Sequence, residues 1–215
     1  MRRIAALLLI LAACATTTHP PVVRSVAEYD RLVAADPDKR LVEIADIPPD
    51  VRYATTNNFM HEVLYPAPRV FLRRPAAIAL HDVERALAHQ GMGLKIFDGY
   101  RPYRVTVKMW KSIRNPDFVA DPAKGSRHNR GAAVDLTLID LRTGSEVPMP
   151  TGYDDFTPHA RQDFNDLPAD AIANRAKLRA VMQEHGFDPL PSEWWHFDFR
   201  GWEKFELLDL PLEKL

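Results

Sequence analysis

His128 and Asp135 stand with six residues between them in the stretch SRHNRGAAVD, residues 126–135. An imidazole and a carboxylate so spaced can serve one metal ion if the chain turns back between them, and Gly131 suits such a turn. The alternation of Val134, Leu136 and Leu138 predicts a β-strand with these three side chains packed inward. Asp135 then points to the opposite face, where a preceding loop can bring His128 beside it. Catalytic zinc takes three protein ligands and keeps a fourth position open, so a third donor is expected elsewhere, and His196 in EWWHFDF is the best placed. Glu193 precedes it by three residues. Positions three apart on a strand face opposite sides, so Glu193 belongs on the loop behind Pro191 and Ser192. From there a carboxylate can take a proton from water at the metal site without being a ligand, as a general base must. Trp194 and Trp195 would wall the site and keep it dry, although paired aromatics in a strand are usually core.

These groups need elements to hold them. Residues 41–53, LVEIADIPPDVRY, mix short β-prone runs with a Pro48-Pro49 turn, and ATTNNF after them is loop. His61-Glu62-Val63-Leu64-Tyr65 begins like the zinc signature HExxH but ends on tyrosine, so it lacks the two-histidine helical face and reads as a surface or loop histidine. Pro75 opens a helix with Ile78, Val83 and Leu87 on or near one stripe and Gly91 as its stop; His81 and His89 ride on it as solvated positions. A short strand over 94–97 runs into DGYRP, and Pro102 starts a helix carrying Val105, Met109 and Ile113. Arg101 therefore falls at a strand-to-helix junction, where it either faces a cleft or ties down the turn through Asp98; the sequence leaves both open. The strand bearing Asp135 continues to Leu141. A loop rich in glycine and proline, TGSEVPMPTGYDDF, follows it and holds Asp154 and Asp155. A helix over 169–185 presents Leu178, Val181 and Met182 and is capped by Gly186, and the last strand is expected over 194–199.

Residues 1–14, MRRIAALLLILAAC, carry two arginines and an apolar run too short to span a bilayer, which reads as an export signal. Its ending looks like a bacterial lipobox, making Cys14 the first mature residue and the site of lipid attachment. Cys14 is the one cysteine in the chain, so an exported fold must rest on its core without an internal disulfide. Residues 15–40 are expected to be a flexible tether and N-terminal extension, and 41–215 one domain. With 46% hydrophobic residues a sizeable core is available, and a net charge of −1 with interspersed signs excludes a nucleic-acid footprint or polybasic membrane surface. Membrane contact is expected only through the lipid on Cys14, giving a periplasmic anchored lipoprotein. Ala15 after the cysteine favours the outer membrane where there are two.

DGYRP at 98–102, SRHNRGAAVD at 126–135 and EWWH at 193–196, in that order, resemble the VanX-type D-alanyl-D-alanine dipeptidases, zinc peptidases with the signatures SxHxxGxAxD and ExWWH. YATTNNF at 53–59 and MPTGYD at 149–154 are similar to further stretches of that family, the second departing from MGTxFD at positions that include Pro150 and Tyr153. The resemblance runs from about Leu41 to Trp202. It implies an α+β fold, a small antiparallel sheet flanked by helices with the zinc site on the sheet. It implies one zinc per chain on His128, Asp135 and His196, Glu193 as catalytic base and Arg101 stabilising the transition state. Asp154 would hold the ammonium of a small D,D-dipeptide and Ser126 would line the pocket. The implied activity is hydrolysis of D-alanyl-D-alanine in cell-wall peptide turnover. Two alternatives stand beside it: a D,D-carboxypeptidase acting on longer muropeptides, and a noncatalytic zinc-bearing binding module as in the hedgehog signalling fold. Retention of Glu193 and Arg101 speaks against the module, since a structural zinc needs neither and is more often closed by four protein ligands.

Overall fold

The computed structural model describes residues 20–215, so the expected signal over 1–14, Cys14 and the start of the tether lie outside the described residues. In chain order the elements are strand β1 (Val22–Val23), helix α1 (Val26–Ala35), strands β2 (Leu41–Glu43) and β3 (Phe71–Arg73), and helix α2 (Arg74–Ala88). Strand β4 (Met92–Asp98), helix α3 (Tyr103–Ser112), strand β5 (Ala133–Asp140) and helix α4 (Ala169–Glu184) follow. Strands β6 (Phe187–Pro189), β7 (His196–Phe199) and β8 (Leu207–Leu208) complete the chain. The central sheet is antiparallel, in the order β4-β5-β7-β6. β2 and β3 form an antiparallel pair, and β1 lies parallel to β8. This is an α+β fold with its functional groups on a small antiparallel sheet.

Strand β5 sits at the centre because its sequence, AVDLTLID, can be buried throughout. Seven of its eight residues are buried, including Asp135 and Thr137, which alternate with the apolar positions. The expectation of one inward face is thus corrected to two covered faces. Leu136 and Leu138 pair across to Ile96 and Leu94 of β4, while helices α2 and α4 pack against the sheet and against each other. Helix α2 buries Ala76, Leu80, Val83 and Leu87, the spacing of one helical face. Ile78, expected in that stripe, is instead among the exposed large apolar residues, since two positions from Ala76 carry it to the far side of the helix. His81 is not simply solvated: its ring meets the Ala77 carbonyl at 2.7 Å and both Asp46 oxygens at 3.0 Å.

Of the expected flexible tether and N-terminal extension over 15–40, the part from Val22 onward packs on the domain. Val22 and Val23 add a parallel strand to β8, and Tyr29 and Val33 of α1 are buried in the common core. Ser25 caps α1 by accepting the Glu28 amide at 3.1 Å. Arg73, fully buried, clamps the arrangement by donating to the carbonyls of Lys39, Arg130 at 2.7 Å and Glu206 at 3.1 Å. The C-terminal segment is fastened through Tyr100, whose hydroxyl donates to the Leu210 carbonyl at 3.0 Å and accepts its amide at 2.8 Å.

Candidate active site

The register of three neighbouring strands builds the site. Asp135 of β5 lies opposite His196 of β7 on one side and Asp98 of β4 on the other. Opposite residues in an antiparallel pair share a face, so the three side chains stand in a row. The β4 partner would be Phe97 but for a bulge: Ile96 pairs with Leu136 and Asp98 with Asp135, one residue having been inserted in β4. The last strand begins at His196 rather than at 194, which leaves Glu193 on the preceding turn, off the strand.

His128 arrives from a short 3₁₀ turn, His128–Arg130, closed by Gly131 in the left-handed region at φ 67°. A Cβ at Gly131 would come within 2.5 Å of Leu41, so both the turn and the packing require glycine. Asn129, fully buried, locks the turn: its amide donates to the Arg101 carbonyl at 2.9 Å and the Thr106 hydroxyl at 2.8 Å, and its oxygen accepts the Ser126 amide at 3.0 Å. Ser126, buried beside the cleft, accepts the His128 amide on its hydroxyl at 3.2 Å.

One atom from each of His128, Asp135 and His196 falls within 4.8 Å of the other two. Asp135 Oδ1 is 2.9 Å from His196 Nδ1 and 3.4 Å from His128 Nε2, and the two nitrogens are 3.1 Å apart. The outer ring nitrogens point to the form these atoms would take around an ion. His128 Nδ1 faces the Gly99 carbonyl at 2.8 Å and His196 Nε2 faces Asp198 Oδ1 at 3.0 Å, partners that only accept. With those positions carrying the ring protons, His128 Nε2, His196 Nδ1 and Asp135 Oδ1 present three lone pairs to one point. A cation satisfies that arrangement, and two imidazoles with one carboxylate suit a catalytic zinc-type centre with an open position.

The remaining groups surround this point. Glu193 is buried, its Oε2 lies 4.0 Å from His196 Nδ1, and among the described residues its carboxylate takes no hydrogen bond. Burial pushes it up to about 8, against the pull of His196 and with a further push from Asp135 and Asp154. A divalent cation nearby acts in the opposite sense and favours the charged form. Arg101 meets both possibilities left open by the sequence. Its Nε and Nη2 donate to Asp98 Oδ2 at 2.9 and 2.8 Å, and it also lines the cleft, with Nη2 3.8 Å from Asp135 Oδ2 and the guanidinium 5.2 Å from the Tyr53 ring centre.

Asp154 lies across the cleft in a left-handed conformation, φ 61°, which is costly for an aspartate. Tyr53 donates to its Oδ1 at 3.1 Å, while Oδ2 is buried with no partner. Burial raises this carboxyl to about 7, Asp135 adds to the rise, and Arg101 and the Tyr53 bond oppose it. The loop, though rich in glycine and proline, is pinned. Tyr153 is stacked on Phe97 at 4.5 Å, and Thr151 accepts the Trp194 indole at 2.9 Å. Trp195 walls the cleft, whereas Trp194 belongs to the core. Of the HEVLY stretch, His61 is exposed and Glu62 pairs with Lys108, while Tyr65 is buried and donates to Asp98 Oδ1 at 2.9 Å.

Sequence reasoning named Asp98 only as a partner of Arg101 and missed its place beside Asp135; it also missed Asn129, Tyr53, Tyr153 and Asp198. For Asp198 a signal existed, because positions 196 and 198 of one strand share a face. For the others no local pattern announces the partner.

A small antiparallel sheet that gathers two imidazoles and a carboxylate beside an unpaired buried acid and an arginine defines a metal-dependent hydrolase of the peptidase kind. Residues 38–205 match the family model described as D-ala-D-ala dipeptidase, and the chain belongs to that family. It is 34% identical to the D-alanyl-D-alanine dipeptidase of Escherichia coli (strain K12) over 172 residues, covering 78% of this chain and 89% of the relative. To the D-alanyl-D-alanine dipeptidase of Enterococcus faecium it is 32% identical over 171 residues, 70% of this chain and 85% of the relative. Solved structures with looser similarity include the vancomycin-resistance D,D-pentapeptidase VanY in complex with Zn(II), 16% identical at a TM-score of 0.44 over 79% of this chain and 83% of that one. Another is the D,D-dipeptidase VanXYg with a D-Ala-D-Ala phosphinate analogue, 18% identical at a TM-score of 0.40 over 78% and 73%.

Proposed function

We propose that the chain hydrolyses free D-alanyl-D-alanine with one zinc held by His128, Asp135 and His196, in cell-wall peptide turnover. The observation that carries this reading is the convergence of one donor atom each from His128, Asp135 and His196 beside a buried acid that is not one of them. The curated relatives named for this activity support the substrate. Bound zinc supplies Lewis acidity toward a carbonyl and lowers the pKa of water to roughly 7. Glu193 takes the proton from the attacking water and returns it to the leaving amine. Arg101, held in line by Asp98, donates to the oxygen on which negative charge develops. Asp154, with one oxygen bound by Tyr53 and the other free, receives the ammonium of the dipeptide. Ser126 lines the pocket and keeps the His128 turn in place.

An ammonium reader this close to the scissile bond separates a dipeptidase from a carboxypeptidase. Zinc-loaded protein is expected to cleave free D-Ala-D-Ala and to act poorly on its N-acetylated form. Equal rates on the two would transfer the reading to a carboxypeptidase on longer muropeptides. We also propose that Cys14 carries lipid and holds the enzyme at the periplasmic side of a membrane, in a two-membrane bacterium the outer one. What supports this is the lipobox-like sequence before it, and labelling with a fatty-acid probe should disappear in Cys14→Ala. No helix among the described residues is long and apolar enough to cross a membrane.

A further inference from the structure

We infer that Tyr153 is a positioning residue for the metal site, one that makes Asp135 a one-oxygen donor; the inference rests on the zinc reading above. A carboxylate offers two oxygens, and a cation facing it can take either one or both. Here Oδ2 accepts a hydrogen bond from the Tyr153 hydroxyl at 3.0 Å, and Oδ1 is left facing the nitrogens of His196 and His128. The other cation near Oδ2 is Arg101, whose Nη2 stands at 3.8 Å, beyond hydrogen-bond reach, and is engaged by Asp98 at 2.8 Å.

The hydroxyl is aimed by rigid packing. The Tyr153 ring is stacked on Phe97 with centroids 4.5 Å apart and planes 17° apart, meets the edge of Trp195 at 5.7 Å and lies tilted against Tyr53 at 5.9 Å. A phenol keeps its proton at neutral pH and a carboxylate oxygen only accepts, so the Tyr153 hydroxyl is the donor of this bond. A phenylalanine at position 153 would fill the same ring space and lack the bond.

Without the hydroxyl, Asp135 Oδ2 is buried without a donor and has two ways to recover one. It can turn both oxygens toward the ion, which raises the coordination number. Alternatively it can draw Arg101 across the gap, which removes that guanidinium from the cleft. Either response disturbs the metal centre without changing a ligand.

The test compares wild type, Tyr153→Phe and His128→Ala for zinc affinity by competition with a chromogenic chelator, and for the visible spectrum of the cobalt(II) forms. Wild type should bind one zinc and His128→Ala should lose it. Tyr153→Phe should fold, with the metal-free protein melting within a few degrees of wild type, and should bind zinc about 10- to 100-fold more weakly. Its cobalt spectrum should shift toward the weaker bands of a higher coordination number. Unchanged zinc affinity with an unchanged cobalt spectrum overturns the role of Tyr153 and leaves the zinc reading standing. A wild type without stoichiometric zinc, or a His128→Ala variant that keeps it, removes both.

Discussion

Glu193 and Asp154 are two acids in one cleft whose surroundings prepare them for different work. Glu193 has no hydrogen-bond partner among the described residues and sits against a metal-facing imidazole nitrogen, so its proton can move. Glu193→Gln keeps the shape and removes the basic oxygen. It should retain stoichiometric zinc while losing about two to four orders of magnitude in kcat; loss of the zinc would make Glu193 a ligand. Asp154 must be charged to hold an ammonium, yet burial chiefly raises its carboxyl to about 7. The sign follows: below that pH the carboxyl is protonated and cannot pair, so KM for a free dipeptide should fall as pH rises through about 7. Asp154→Asn should flatten that dependence and bind the dipeptide weakly at every pH. For stability the same shift runs the other way, because a carboxyl raised in the fold contributes most below its unfolded pKa and loses that contribution as pH rises through its folded value.

At the level of elements, the site depends on three devices of unequal visibility in the sequence. The alternation around Asp135 and the glycine after His128 are legible directly, as is the parity rule that sets Glu193 off the strand bearing His196. The bulge that turns Asp98 toward Asp135 is not, because nothing in KIFDGYR marks an inserted residue until its partner strand is known. Burial of both faces of β5 is equally hidden: Asp135 and Thr137 look like a polar face, and Asp135 is covered by groups distant in sequence, among them Tyr153 from its loop and His128 from its turn. The pairing of β1 with β8 joins residues far apart in sequence, and such parallel contacts have no local signature, which is why a proline-bearing stretch looked like a tether. The His128 turn gives the sharpest test at this scale. Gly131→Ala adds a side chain at φ 67° and against Leu41, and should destabilise the protein by about 1–3 kcal/mol in denaturant melts while weakening zinc binding through displacement of His128. A variant of unchanged stability and zinc affinity would show that the turn has slack the packing does not suggest.

Across the described residues, a core without an internal disulfide holds the segment from Val22, the C-terminal segment and the site together. Arg73 joins the N-terminal extension, the His128 turn and the C-terminal segment through three carbonyls, and Tyr100 ties the last residues to the strand-to-helix junction that carries Arg101. The proposed catalytic groups therefore sit where the C-terminal segment, sheet and loops are all fastened, which suits a small pre-formed cleft. A protein shortened to begin at Leu41 loses β1, α1 and the buried Tyr29 and Val33, and should melt well below the full chain even though the sheet and metal donors are all retained. The central claim is that a metal held by His128, Asp135 and His196 drives cleavage of a free D,D-dipeptide. It is tested most directly by following D-alanine release from D-Ala-D-Ala with protein stripped of metal and then titrated with zinc. The account predicts no release from the stripped protein and recovery that saturates at one zinc per chain. Full activity in protein shown to be metal-free, or no release at any zinc loading, would contradict it.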